Sequence, residues 1–137
     1  MPQHSFAEHW TSVSLWDLAD WVNGLPFSGI RFSPSGRPVL KIAELKNGIS
    51  AQTRFSRDQF PDDVRVTRGD MLFSWSGNPD TSIDVFLWNG SDGWLNQHIF
   101  KVSPRRTVDR RFLFYVLKGL KQTFARIASN KQTTGLG

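Results

Sequence analysis

Along the chain, short apolar runs alternate with polar breaks rich in Gly, Pro, Asn and Ser, until a long helical period takes over near the end. Leu15, Leu18, Ala19 and Val22 recur at helical spacing behind Ser14, with Asp17 three residues on as in a variant capping box. This predicts a helix over 14–22 that Asn23-Gly24 stops. Residues 29–38 read as a loop, 39–43 as a strand, Asn47-Gly48 as a turn and 49–63 as a polar, irregular stretch. Residues 64–66 form a short alternating strand, 68–70 a turn, and 71–76 a strand of buried type broken by 77–80. Residues 83–88 and 94–102, joined by the turn 89–93, predict a hairpin.

The clearest element is a helix over 108–129, with Pro104 ending the strand before it and Thr107 or Asp109 as cap. At 100° per residue, Leu113, Val116, Leu117, Leu120, Phe124 and Ile127 fall on one side, and Arg110, Arg111, Lys118, Lys121 and Arg126 on the other. Gly119 weakens it slightly. The residues after it, 130–137, read as a polar tail. The pattern predicts a mixed α/β (α+β) class: a strongly bent, mainly antiparallel sheet of short strands with a long C-terminal amphipathic helix packed on it. The length of 137 residues suits one domain spanning 1–137.

Composition narrows the chemistry. There is no Cys, which excludes disulfides, thiolate zinc sites and a thiol nucleophile. No basic patch followed by an apolar run opens the chain, and no apolar stretch approaches the roughly 20 residues of a membrane span. A cytoplasmic protein without a membrane partner is expected. The net charge of +5 is uneven: residues 1–97 carry 8 basic and 11 acidic side chains, residues 98–137 carry 9 basic and 1 acidic. The last third is thus a concentrated positive region, as expected of a phosphate-backbone binder or of a merely solvated helix face.

Two stretches carry a family resemblance. Residues 69–77, Gly-Asp-Met-Leu-Phe-Ser-Trp-Ser-Gly, resemble the GD-x-L-hydrophobic-S-x-S-G stretch of type I restriction–modification specificity subunits. Residues 95–102, Leu-Asn-Gln-His-Ile-Phe-Lys-Val, resemble the NQH-x-F-x-V stretch that follows it in that family. Trp10 before Leu15-Trp16-Asp17-Leu18, the Pro38-Val39-Leu40-Lys41-Ile42 stretch, the late helix and the Thr133-Thr134-Gly135-Leu136-Gly137 loop fit the same order, so the likeness covers nearly the whole chain. It implies a target recognition domain. In the family a subunit carries two such domains, each reading half of a split DNA target, joined by long helices that dock the methyltransferase subunits. The implied partners are double-stranded DNA, the methyltransferase (modification) and restriction subunits, and a second specificity domain or chain. No catalysis and no cofactor are implied. The 137 residues show no heptad run corresponding to the family's long spacer helix.

Within that likeness, base-reading candidates are polar loop residues: Lys46, Asn47, Gln52, Arg54, Arg57, Ser76, Asn78, Gln132, Thr133 and Thr134. Arg suits guanine, and Asn or Gln suits adenine, because each offers a matching pair of hydrogen-bonding groups. Phosphate candidates are Arg105, Arg106, Arg110, Arg111, Lys118, Lys121 and Lys131. Asn96, Gln97 and His98 interrupt an apolar strand: Gln97 suits an adenine edge, but the stretch reads better as framework, with Asn96 and Gln97 tying down a loop backbone and His98 a partly buried, satisfied histidine.

An alternative is a small magnesium-dependent nuclease using Asp20, Glu44 and Lys46, since Glu44-Leu45-Lys46 is an E-x-K triplet. A third reading is a protein-interaction remnant with a solubilising basic face. Asn78-Pro79-Asp80 lacks the aromatic residue of an amino-methyltransferase motif, no Gly-rich cofactor loop is present, and His4, His9 and His98 have no metal-ligand spacing.

Overall fold

The short strands form two four-stranded sheets, and the long helix packs on one of them. The computed structural model describes residues 14–27, 31–75 and 83–133, of which 124, 125 and 127–133 are described by their backbone alone. Sheet one contains β1 (Ala19–Asn23), β5 (Met71–Ser74), β6 (Asp84–Leu87) and β8 (Ile99–Pro104) in the order β1-β8-β5-β6, antiparallel throughout. Sheet two contains β2 (Arg37–Leu40), β3 (Phe55–Ser56), β4 (Arg65–Val66) and β7 (Gly93–Leu95) in the order β3-β2-β7-β4, with β2 and β7 parallel. A short helix, α1 (Ile42–Asn47), follows β2, and α2 (Arg110–Thr133) ends the described chain. This is the mixed α/β class that the pattern predicts.

Strand β5 explains how the layers meet. All four of its residues are buried, and its side chains alternate between two cores. Met71 and Phe73 join Ala19, Val85, Val102, Leu113 and Leu117 under α2. Leu72 joins Val39, Leu40, Val66, Trp88, Trp94 and Leu95 on the side of sheet two. Sheet one is therefore the middle layer. Full burial of Leu113 and Leu117 contributes about 1.5–3 kcal/mol each to holding α2 down.

Local expectations and structure differ at five places. The predicted helix 14–22 is a single 3-10 turn, Leu15–Leu18, capped by Ser14, whose Oγ accepts from Trp16 N at 3.1 Å. The chain then extends as β1, because pairing from Ala19↔Pro104 to Asn23↔Phe100 outweighs helical spacing. The strand at 39–43 stops at Leu40, since the Lys41 N–H bonds to Glu44 Oε1 at 2.9 Å and starts α1. The irregular 49–63 stretch contains β3 and the start of a 3-10 turn at Asp62–Val64. The hairpin expected between 83–88 and 94–102 is absent: β6 pairs with β5, and β7 belongs to the other sheet. The helix also runs on through Thr133, where a polar tail was expected.

Each family-like motif contains a corner. In the Gly-Asp turn, Gly69 sits at φ 93°, its N–H bonds to Trp88 O at 2.7 Å, and Trp88 N bonds back to Asp70 O at 2.9 Å. Asp70 Oδ2 closes the turn by accepting from Thr67 N at 2.9 Å. Asn96-Gln97-His98 is the bend by which the chain leaves sheet two and enters sheet one. Asn96 N bonds to Leu40 O at 3.2 Å and Gln97 N to Leu25 O at 2.8 Å, so the backbone makes the ties expected of the side chains. His98 is exposed rather than partly buried. It takes φ 73° and lies edge-on to Trp75, with ring centres 5.1 Å apart.

Candidate nucleic-acid interface

The late basic helix is bound into the fold more than its charge implies. Asp109 caps it, Oδ1 accepting from Phe112 N at 3.0 Å. Lys118 and Lys121, expected on the solvent face, reach sheet one. Their Nζ atoms lie 2.9 Å from Asp84 Oδ1 and 3.3 Å from Asp84 Oδ2. Burial by itself raises the Asp84 pKa. The hydrogen bonds from Lys118, Val85 N and Lys121, with the charge of Lys118, reverse that and hold it below the usual aspartate value. Arg105 pairs with Asp20 at 3.1 Å, and Arg110 donates to the carbonyl oxygen of Gly69. Arg106 and Arg111 are exposed and have no ion pair among the described residues. The Lys131, Gln132 and Thr133 side chains, and all of Ser76, Asn78 and Thr134, lie outside the described residues.

The middle of the chain presents its cations differently. Residues 31–57 hold six basic side chains and one acid, a local charge of +5 within the acidic first two-thirds. The one acid, Glu44, is 5% exposed; Oε1 accepts from Lys41 N and Oε2 from Thr53 Oγ1 at 3.0 Å. Arg54 lies over the Phe32 ring at 4.9 Å and Arg37 over Trp94 at 5.1 Å, and a ring neutralises no charge. Arg57 donates Nε and Nη2 to Ser35 Oγ at 3.1 and 2.5 Å. Arg31 pairs with Asp58 at 3.5 Å. Lys46 and Asn47 are exposed on the last turn of α1, and Gln52 is exposed in the turn that follows, its Oε1 accepting from Ser50 Oγ at 3.2 Å.

Two grooves connect part of these sets. One, of about 380 Å³, is lined by Leu87, Arg110, Arg111 and Tyr115. The other, of about 340 Å³, is lined by Leu45, Gly48, Ile49, Leu87 and Asn89. Exposed Leu87 belongs to both, so the end of α1 and the start of α2 flank one strip of surface. Arg57 lines a further cleft of about 230 Å³ beside the β2–β3 ribbon, and Arg54 immediately precedes β3. A fourth opening, an aromatic cleft of about 530 Å³, lies between Trp16, Trp21, Trp75 and Phe100.

Sequence reasoning missed Arg37, Arg31, Ser35 and Asp58. A charge sum in windows of about thirty residues would have found the first two, because the acid-rich flanks of 31–57 hide it in any longer average. The nuclease set is not assembled. Both Glu44 oxygens hold α1 and its following turn, Asp20 pairs with Arg105 at the edge of sheet one, and Lys46 is exposed on α1 beside sheet two. Among the described residues, no group of three His, Asp or Glu side chains could hold a metal ion, and no helix is long and apolar enough to cross a membrane.

No protein-family model and no curated protein matches the chain. Among solved structures, the HsdS subunit from Thermoanaerobacter tengcongensis is similar in fold, with a TM-score of 0.61 and 16% sequence identity. The match covers 82% of this chain and 28% of that one, so the chain spans little more than a quarter of the length of its structural neighbour. At that identity the likeness is one of fold.

Proposed function

We propose that this chain is a non-catalytic target recognition domain that reads duplex DNA, contributing one half of a split target as a specificity component of a type I restriction–modification system. The observation that carries this reading is the set of six cations over 31–57, whose one acid is buried and of which Arg31 alone pairs with a carboxylate, Asp58, among the described residues. Such a surface attracts phosphates and releases their counterions. The HsdS-like fold and the two corner motifs support it from independent directions. On this reading the chain acts in the cytoplasm without a cofactor. Its partners are double-stranded DNA, the methyltransferase and restriction subunits, and a second specificity domain or chain.

The test is binding to duplex oligonucleotides between about 50 and 200 mM salt, followed by selection from a random duplex library at the lower salt. The expected result is a log–log salt slope of about −3 or steeper and enrichment of one short motif. A chain that ignores duplex DNA at low salt contradicts the proposal. One that binds without enriching any motif is a basic surface and not a reader.

A further inference from the structure

The β2–β3 cleft is built for one kind of contact. Its floor is the buried Trp94, and its rim holds Arg37, Arg57, Asp58 and Gln59. The rim turn is fixed from several sides. Ser33 Oγ donates to Ser35 O, and Ser33 N bonds to Phe55 O at 2.9 Å. Gly36 has φ 117°, and a Cβ there would come within 2.4 Å of Ser56 O. Only glycine lets the turn approach β3 this closely. Ser35 Oγ then takes the Nε and Nη2 side of Arg57. The Nη1 and outer Nη2 hydrogens, the end-on pair, are left to point elsewhere.

A phosphate site needs positive charge and accepts it from many directions, whereas a base edge needs donors in a fixed plane. In this cleft Ser35 orients Arg57, and beside it stands a carboxylate, Asp58, paired with Arg31, which makes a poor neighbour for phosphate. Donors and acceptors side by side match the mixed edge of a base pair in the major groove. We therefore propose that the cleft reads one G·C pair, with Arg57 donating to guanine O6 and N7 and Ser35 acting as the positioning residue that orients it. This rests on the duplex-reading proposal and assigns one position of its target.

The experiment repeats library selection and salt titration with Ser35→Ala, Arg57→Lys and Arg57→Ala, each checked for an unchanged melting temperature. For Arg57→Lys, the preference for guanine at one position should fall about tenfold or more, while the salt slope stays that of the parent. Ser35→Ala should weaken the preference at that same position by a smaller factor and leave the others intact. If Arg57→Ala instead lowers binding to all sequences alike and reduces the salt slope by about 1, Arg57 holds a phosphate and the cleft proposal is wrong, with duplex reading intact. An unchanged Ser35→Ala profile removes the positioning role. Absence of any enriched motif for the parent chain removes the reading proposal itself, and this one with it.

Discussion

The terminal helix and the β2–α1–β3 segment are both basic, and the fold treats them in opposite ways. In α2 and its approach, Lys118 and Lys121 share Asp84, Arg105 takes Asp20, and Arg110 ties down the Gly69 turn. In 31–57 the one carboxylate is buried in backbone and hydroxyl contacts, and Arg37, Arg54 and Arg57 rest on rings or a serine. The first region uses much of its charge to hold a helix on a sheet. The second, apart from Arg31, which pairs with Asp58, leaves its charge open to a partner. A sum of charge along the chain ranks them the wrong way round, because Asp20 and Asp84 lie far away in sequence from the cations they neutralise.

This contrast can be broken by mutation, beginning with the largest effect. Leu117→Ala, under α2, should lower unfolding free energy by about 2–5 kcal/mol in denaturant titration, since a fully buried leucine leaves a cavity. The combined change Lys46→Ala and Arg54→Ala should leave the melting temperature alone, yet weaken duplex binding about tenfold and reduce the salt slope by about 2. Lys118→Ala with Lys121→Ala should do the reverse, costing about 1 kcal/mol of stability with little change in slope. A large fall in slope there would mean that Asp84 gives up its lysines to DNA.

The smallest effect is a pH dependence. Because the folded pKa of Asp84 is depressed, its stabilisation is fully present above the ordinary aspartate pKa of about 3.9. It is lost as pH falls through the lower folded value. The difference in melting temperature between the parent and Asp84→Asn should therefore be constant near neutrality and shrink below about pH 4. A difference that grows in acid contradicts the ion-pair assignment.

Much of this architecture is legible in the sequence where local and tertiary preferences agree. The α2 stripe, the buried β5 and the Gly69 turn are of that kind, each following from spacing or from a backbone that only glycine adopts readily. The failures share a cause. Residues 14–22 have helical spacing, but Trp21 is needed against Phe100, and that pairing lies some eighty residues away. Strand β7 follows β6 directly and still leaves its sheet, because the bend at 96–98 serves a register that no local pattern encodes. The candidate site was legible only in part. Arg54 and Arg57 were visible as loop cations, whereas Ser35 gains its role from a turn packed against β3.

The central claim is that duplex DNA meets the 31–57 segment. The most direct measurement is amide chemical-shift mapping of the chain with a short duplex at low salt. The account predicts perturbations concentrated at 31–37 and 46–59, with only secondary changes at Arg106 and Arg111. Perturbations centred on the Lys118–Lys121 stretch of α2, with 31–57 silent, contradict it.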